Sequence, residues 1–272
     1  MPEIPEVATF AFQLNTVFAG KVLITTITDE SFKHARDLDK IVTPNLLTSV
    51  ISRGKKIIFI FEQGFLMSSL GLEGSWYFGS EKTSTLFSSL WGRKIGNNYA
   101  EIELELSYRD TRHFGWLEWF ETEEELEKRC DVGMDLLKEP DLDQWNKLIK
   151  KHKKLIICEF LLKQQYVAGV GNYLRSVCLY LAKIHPMRKL ESLTDEESEL
   201  LFNTVVEEIN KAYQLRGASL RSYHDLFGNP GQYEVIIYNE KHDPDGNVIE
   251  TCTDRDKRRV WFVPEIQRLI TE

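Results

Sequence analysis

The sequence predicts an α+β protein of two domains, an N-terminal β-sandwich or barrel with a leading helix and a C-terminal helical domain that ends in a β-hairpin. Short runs rich in valine, isoleucine, threonine and aromatic residues fill the first half, whereas amphipathic helical patterns fill the second. Between them lies the acidic stretch 121–143, with Pro140 near its end, where we place a domain boundary. The strand pattern alone leaves a sandwich and a barrel open.

The first half begins with a predicted helix over about residues 5–19, which ends at Gly20. Predicted strands follow over residues 22–28, 46–51, 56–62, 65–70, 74–78, 99–107 and 116–120. In residues 101–106, glutamate alternates strictly with apolar residues, which is typical of a strand with one face in water.

The second half contains predicted helices over about residues 143–150, 155–165, 172–183 and 194–215. The last of these begins with Thr194-Asp195-Glu196-Glu197, which is a capping signal. The tail predicts a β-hairpin, with residues 232–239 as one strand, 243–247 as the turn and 258–263 as the return strand.

Composition indicates an ordinary globular protein, since 42% of the 272 residues are apolar and 28% are charged. No apolar run is long enough to span a membrane, and no secretory signal is visible. The four cysteines contain no C-x-x-C pair, which argues for reduced thiols in a cell interior and against a cysteine-rich zinc site. We therefore expect an intracellular protein.

The net charge of −8 argues at first against a nucleic-acid partner. The charge is unevenly distributed, however: residues 1–145 carry 15 basic and 24 acidic side chains, and residues 146–272 carry 19 and 18. Because binding to phosphates depends on local clusters of cations, the total does not exclude DNA or RNA.

The N-terminus carries the most specific chemical possibility. Methionine before proline is usually removed, which would leave Pro2 with a free secondary amine. Such an amine has a pKa near about 8 and can attack a sugar carbon to form an iminium ion, while the adjacent Glu3 moves protons. The alternative is an ordinary terminus in which Pro5 and Glu6 open a helix.

Three inner stretches add candidates for phosphate and base contacts. Arg53-Gly54-Lys55-Lys56 places cations at the start of an apolar strand, and the turn-like segment 109–115 sets Arg112, His113 and Phe114 side by side. In the segment 164–173, two glycines precede a helix whose first amides, with Asn172, are a possible phosphate site. Upstream is a lysine cluster: Lys147, Lys150, Lys151, Lys153 and Lys154. Solvated charges and a core phenylalanine are the alternative interpretations.

Together these motifs resemble the formamidopyrimidine-DNA glycosylase / endonuclease VIII family from end to end. The resemblance rests on seven segments in the family's order: MPEIPEV, RGKK, SLGLEGSW, RDTRHFG, VAGVGNYLRSVCLYLAKIHP, RGASLRSYHDLFGNPGQY and the final hairpin. It implies a β-sandwich catalytic domain over residues 1–135, a helix-two-turn-helix module over 136–228 and a finger hairpin over 229–272, with DNA bound in the cleft between the domains.

The resemblance also implies a bifunctional DNA glycosylase and AP lyase that removes oxidised bases. Pro2 would attack C1′, Glu3 would act as acid and base, Lys55 would assist β-elimination, and Arg258 would aid δ-elimination, with Arg259 as the alternative finger arginine. Other residues match DNA-contacting positions: Lys154 and Asn172 on phosphate, and Leu72, Arg112 and Phe114 in the gap left by a flipped base. His113 replaces a second arginine there. The implied partner is damaged double- or single-stranded DNA, bound by a monomer.

Several departures from the family pattern matter. The tail offers only Cys252 and His242 where zinc-binding members have four cysteines, so we expect a zincless finger with no metal and no cofactor. Ser69 stands where many members have histidine, and Ile4 is a mild change. A second function remains open, a non-catalytic binder of damaged or abasic DNA. The lesion is also open: the length of the loop over residues 217–231 favours oxidised purines, whereas zincless fingers also occur in members that act on oxidised pyrimidines.

Overall fold

The computed structural model describes residues 2–79, 85–95, 98–221 and 223–269. The chain forms two compact units. The first, the β unit, contains Pro2, Glu6–Asp131 and Leu220–Gly231. The second, the helical unit, contains Glu3–Pro5, Val132–Ser219 and the chain from Gln232 onward. Each unit has its own core and carries some of the predicted site residues.

The described residues form six α-helices: α1 Ile4–Phe18, α2 Glu123–Arg129, α3 Leu142–Lys151, α4 Ile157–Leu162, α5 Asn172–Leu181 and α6 Asp195–Gln214. They also form thirteen strands: β1 Val22–Thr28, β2 Ala35–Arg36, β3 Asn45–Arg53, β4 Lys56–Phe61, β5 Phe65–Ser69, β6 Ser75–Phe78, β7 Thr85–Ile95, β8 Asn98–Arg109, β9 Trp116–Phe120, β10 Met134–Asp135, β11 Val167–Ala168, β12 Glu250–Thr253 and β13 Arg259–Phe262. No helix within the described ranges is long and apolar enough to cross a membrane.

The β unit is a sandwich made from one folded sheet. Nine strands of the described chain join in the order β2-β9-β5-β4-β3-β1-β7-β8-β6. The junction between β1 and β3 has only two paired positions, so the two halves fold over each other there. Phe59 on β4 packs against Trp76 on β6, with ring centroids 5.1 Å apart, which places aromatic side chains of both halves in one core. The predicted β-sandwich with a leading helix is confirmed.

The expected elements of the β unit all form, and three others were missed: the two-residue strand β2, β7 and α2. β7 was missed because Ser88, Ser89 and Gly92 interrupt its apolar pattern. α2 was missed because it lies within the acidic stretch that we interpreted as a boundary. Thr122 and Glu125 form a capping box at its start, and Lys128 and Arg129 are in its last turn, so its charges stabilise a short helix.

The helical unit is centred on α5, which has buried side chains from Tyr173 to Tyr180. The four predicted helices form within a few residues of their expected limits. Trp145 of α3 packs edge-on against Phe160 of α4 and Phe202 of α6, which ties three helices into one core. The expected C-terminal helical domain is therefore present.

The tail hairpin forms, but with a different first strand and with its turn over residues 254–258, so the hairpin turn expected over residues 243–247 is wrong. β12 pairs with β13 in antiparallel register, from Glu250 opposite Phe262 to Thr253 opposite Arg259. The strand expected over residues 232–239 is wrong. Tyr233, Val235 and Ile237 do alternate as buried residues, but the backbone of this segment is held by the end of α6, where the amide of Tyr233 donates to the carbonyl of Gly217 at 2.9 Å. In this segment, therefore, every second side chain is buried although the backbone forms no continuous strand.

Candidate active site

A cavity of about 390 Å³ opens in the β unit beside the start of the chain. Pro2 and Lys55 both line it, although they are far apart in the sequence. The rest of the lining is mainly apolar: Val7, Ser69, Leu70, Gly71, Leu72 and Phe114. The structure thus brings two predicted catalytic residues and two predicted gap-filling residues to one cavity. Met1 lies outside the described residues.

The local fold separates Lys55 from the two cations beside it. Gly54 has a φ of 53°, so the turn between β3 and β4 uses the left-handed conformation that glycine adopts without strain. Arg53 pairs with Glu127 of α2, and Lys56 donates to the carbonyl of Arg129 at 3.2 Å. Burial lowers the pKa of Lys56. Of the three cations in the motif, Lys55 is the one that lines the cavity.

Residues 110–115 form a tight turn, which we call the wedge turn, after β8. Asp110 is fully buried, and its carboxylate accepts the amide of Gly115 at 2.5 Å and the amide of Arg112 at 3.1 Å. His113 adopts a left-handed conformation with a φ of 54°. Asp110 therefore fixes the backbone on both sides of the residues expected to enter DNA.

The side chains of the wedge turn are exposed and organised. Phe114 is 56% exposed, which excludes the alternative that it is a core residue. The guanidinium of Arg112 lies 5.2 Å from the centre of the Phe114 ring, and its Nη1 lies 3.4 Å from a carboxylate oxygen of Glu73. His113 is also exposed. A stacked cation and ring on a fixed turn can insert beside a nucleic-acid base.

Glu3 belongs to the helical unit and is 1% exposed. Its carboxylate accepts the amides of Gly171 at 2.6 Å, Tyr173 at 2.9 Å and Leu174 at 3.3 Å. These amides are at the N-terminus of α5, where the helix dipole favours a negative charge. The expectation that a phosphate occupies them is wrong, because the carboxylate of Glu3 already does.

The two glycines before α5 are explained by the same packing. A Cβ on Gly169 would overlap the side chain of Ile4, and a Cβ on Gly171 would overlap the carboxyl group of Glu3. Gly169 also has a φ of 87°. These glycines therefore let the start of the chain lie directly against the segment before α5.

The remaining predicted contacts lie in the helical unit. Lys154 is exposed, just after the end of α3, and the other four lysines of that cluster are exposed as well. Asn172 is half-buried at the first position of α5, and its Oδ1 accepts a hydrogen bond from Arg175. Arg258 and Arg259 are both exposed. Arg258 lies in the turn between β12 and β13, whereas Arg259 begins β13.

The finger residues that were compared with a zinc site are not arranged as one. Among the described residues, no three histidine, cysteine, aspartate or glutamate side chains are grouped so as to hold a metal ion. His242 is exposed, and burial raises the pKa of the Cys252 thiol, which disfavours the thiolate that zinc requires. That the finger is of the zincless type stays a prediction.

Comparison with known proteins gives matches over almost the whole chain. The model of the formamidopyrimidine-DNA glycosylase N-terminal domain matches residues 1–117, and that of the formamidopyrimidine-DNA glycosylase H2TH domain matches residues 133–224. The formamidopyrimidine-DNA glycosylase of Lactococcus lactis subsp. lactis is 32% identical over 248 residues, covering 88% of each chain. The chain belongs to the formamidopyrimidine-DNA glycosylase family. The resemblance inferred from the seven motifs is confirmed.

Other members of the formamidopyrimidine-DNA glycosylase family agree in length and fold. The Legionella pneumophila protein of that name is 28% identical over 284 residues and covers both chains completely. A structure of the Lactococcus lactis protein with DNA that contains an abasic site is 25% identical, covers 98% of this chain and all of the other, and has a TM-score of 0.85. Family membership places this protein among the DNA glycosylases.

Sequence reasoning missed several residues that organise the site. Asp110 was inside a quoted motif, but neither its full burial nor its contacts follow from the motif. Glu73, Glu159 and Arg175 were also missed. Arg175 lies in a predicted amphipathic helix, where a charged side chain usually faces solvent, but it is fully buried. The signal in the sequence was a single charged residue within a helix that is otherwise mostly apolar.

Proposed function

We propose that this protein is a bifunctional DNA glycosylase and AP lyase of base excision repair that removes oxidised bases through the N-terminal amine of Pro2. The observation that carries the proposal is the cavity in which Pro2 and Lys55 lie together. An amine nucleophile and a cation in a mainly apolar cavity suit an attack on a sugar carbon beside a phosphate. The proposal requires that Met1 is removed.

The first step is base release. The Pro2 nitrogen attacks C1′, the bond between C1′ and the base nitrogen breaks, and the base leaves with a proton. Opening of the sugar ring then gives a cationic iminium on C1′, for which Glu3 is the proposed acid and base. Glu3 follows Pro2 in the sequence, and hydrogen bonds from the start of α5 hold its carboxylate in one position.

Strand cleavage follows from the iminium. It acidifies C2′, so loss of that proton breaks the bond between C3′ and the 3′ phosphate oxygen, and Lys55 is the proposed cation beside the departing phosphate. Loss of a second proton from C4′ then breaks the bond at C5′, aided by Arg258. Water finally hydrolyses the imine and returns the free Pro2 amine.

When the damaged nucleotide turns out of the DNA helix, it leaves a gap. The residues proposed to fill this gap are Leu72, Arg112 and Phe114, with His113 beside them. This exchange costs a few kcal/mol and is easier at a damaged pair. The stacked pair of Arg112 and Phe114 supports the role, because an ordered cation and ring lose little freedom on insertion. Lys154, Asn172 and Arg259 are the proposed phosphate contacts.

The proposed lesions are formamidopyrimidines and 8-oxoguanine. The relatives carry formamidopyrimidine in their name, and one similar structure, of the Lactococcus lactis protein, holds DNA with N7-benzyl-Fapy-dG. That structure is 27% identical and has a TM-score of 0.85. Cleavage of defined lesions opposite each base, in double and single strands, tests this preference against oxidised pyrimidines.

Covalent trapping tests the mechanism. The protein is mixed with duplex DNA that contains an abasic site and is then reduced with borohydride, and peptide mass mapping locates the sugar remnant. We expect it on Pro2, in protein whose intact mass lacks Met1. A remnant on Lys55 would show that the nucleophile is wrongly assigned. Binding without any adduct, in protein that has lost Met1, would instead show a non-catalytic binder of damaged DNA.

A further inference from the structure

The helical unit contains a fully buried arginine to which the proposed mechanism gives no role. Arg175 lies in the second turn of α5 with its side chain completely shielded from solvent. A buried guanidinium needs acceptors for its N–H groups, and Arg175 has them at Nη1 and Nη2, whereas its Nε has no hydrogen-bond partner. The partners of the two Nη atoms show which parts of the structure depend on this residue. They are the finger turn, Asn172 and the carbonyl of Cys158.

The contacts with the finger involve Asp254, four residues before Arg258, and Arg259, the residue directly after it. Nη1 of Arg175 donates to the carboxylate of Asp254 at 2.7 Å, and Nη2 donates to the carbonyl of Arg259 at 3.1 Å. The other oxygen of Asp254 accepts the amide of Arg258 at 2.8 Å. A single buried carboxylate therefore joins the guanidinium to the backbone of the proposed finger arginine.

The contact with Asn172 fixes which way its side chain faces. Nη2 of Arg175 donates to the Asn172 side chain. Because a guanidinium has donors and no acceptor, the oxygen of Asn172 must be the atom that faces it. The NH₂ group of Asn172 is thereby turned away from Arg175, which is the orientation needed to donate to a phosphate.

A second buried acid holds the other side of the finger turn. Glu159 of α4 accepts the amide of Arg255 at 3.1 Å, and its carboxylate lies 3.7 Å from the Nε of the same residue. The turn is thus attached to α4 through Glu159 and to α5 through Arg175. Polar contacts of this kind can fix a hairpin where metal ligands are not assembled.

We infer that Arg175 is a positioning residue that sets two of the proposed phosphate-contacting groups of the helical unit, the NH₂ group of Asn172 and the finger turn that carries Arg258. The inference deepens the proposed function and rests on it. Arg175 touches no substrate in this role. It acts through Asp254 and Asn172, so its loss must change the steps that depend on Arg258 and Asn172 and spare imine formation at Pro2.

The test compares two neutralised ion pairs of the full-length protein. Arg175→Met with Asp254→Asn removes the tether, avoids a lone buried charge and keeps an oxygen that accepts the amide of Arg258. The matched control, Arg188→Met with Glu197→Gln, removes another buried arginine of the same unit together with its part-exposed partner; the two side chains lie 2.6 Å apart and are not part of the proposed site. Circular dichroism and Tm establish that both variants are folded.

The readout is the ratio of δ- to β-elimination products on abasic duplex DNA under single-turnover conditions. We expect the tether variant to lower the ratio by about tenfold or more, because misplacing a group by about 1 Å costs up to about 10²-fold in rate. Borohydride trapping should stay at the wild-type level. Adding Arg258→Ala should change the ratio by no more than about twofold further, since two changes that remove the same contact are not additive.

Three results separate the possibilities. An unchanged ratio in a folded tether variant would overturn the inference, and so would an equal fall in the control. A wild-type protein that neither traps nor cleaves would refute the proposed function itself. If the tether variant does not fold, Arg175→Lys replaces it: lysine can pair with Asp254 but lacks the planar fork that also reaches Asn172. We then expect the affinity loss of Asn172→Ala, about tenfold, and wild-type affinity would overturn the inference.

Discussion

At the scale of single residues, two side chains that are neighbours in the sequence can lie in different surroundings. Lys55 and Lys56 are identical side chains in one turn, yet Lys55 lines the cavity with Pro2 and Lys56 contacts the last residue of α2. The backbone explains the difference, because Lys55 lies in the turn after Gly54, whereas Lys56 is the first residue of β4. The sequence pattern indicated the group of cations at residues 53–56, and the family resemblance indicated Lys55 within it.

This pair gives a direct prediction. We expect Lys55→Ala to slow cleavage at an abasic site by about 10²-fold or more, the usual range for a lost acid, base or charge contact at the reacting centre. Lys56→Ala removes an equal charge from the same turn and should stay within about threefold of wild type, because its amine is engaged away from the cavity. Single-turnover cleavage of abasic duplex DNA measures both rates.

An equal loss in the two lysine variants would show that only the total positive charge of the turn matters. Thermal unfolding of both variants provides the control for stability. Burial lowers the pKa of Lys56, because folding removes part of the hydration of its ammonium group, and its replacement should therefore not greatly reduce stability.

At the scale of elements, the wedge turn depends on one carboxylate. Both oxygens of Asp110 accept backbone amides of the turn, from Arg112 and Gly115, in a fully buried place. The exposed aromatic and cationic side chains thus stand on a backbone that is fixed from inside. Preorganisation of this kind reduces the entropy that insertion into DNA would otherwise cost.

We expect Asp110→Asn to disturb the turn although the two side chains have the same size. One amide of the turn would face the NH₂ group of asparagine and lose its acceptor, which costs about 1–3 kcal/mol in free energy of unfolding. Affinity for a duplex with a non-cleavable abasic analogue should fall by about tenfold. Urea unfolding and fluorescence anisotropy measure the two quantities.

The matched change is Asp243→Asn. Asp243 is also buried and accepts turn amides, from Asp245 at 3.1 Å and from Asn247 at 2.7 Å, but that turn carries no proposed DNA contact. Affinity should therefore be unchanged in this control. Wild-type affinity in Asp110→Asn would show that the wedge turn does not need its internal acceptor.

Elements with a regular pattern could be predicted from the sequence, and those fixed by distant contacts could not. The alternating run in β8 and the capped start of α6 carry their structure locally. Apolar residues also alternate in segment 232–239, but its first amides donate to carbonyls at the end of α6 and just after it. Nothing in the segment itself indicates these contacts. The N-terminus of α5 similarly looked like a phosphate site because its occupant, Glu3, is about 170 residues away in the chain.

At the scale of the whole molecule, the charge is a constraint on DNA binding. The protein carries a net charge of −8, so its general field repels DNA, and attraction must come from a few local cations. The proposed charged contacts are Lys55, Lys154 and Arg258, with Arg259. Specific recognition therefore depends more on the wedge turn and the covalent step than on attraction at long range.

This balance predicts a shallow dependence of affinity on salt. Three or four phosphate contacts imply a slope of about −3 to −4 in a plot of log affinity against log salt concentration. Lys154→Ala should make the slope shallower by about one, whereas Lys128→Ala, in α2 and paired with Glu124, should not change it. A wild-type slope near about −10, as in a basic repressor, would contradict the prediction.

The buried beginning of the chain has a practical consequence for anyone who produces this enzyme. Glu3 and Ile4 are enclosed by the segment before α5, and Pro2 faces a cavity of about 390 Å³. An affinity tag or a leftover protease scar placed ahead of Pro2 would convert the proposed amine nucleophile into an amide. Recombinant preparations should carry their purification handle at the opposite terminus, and an inactive tagged preparation says nothing about the natural enzyme.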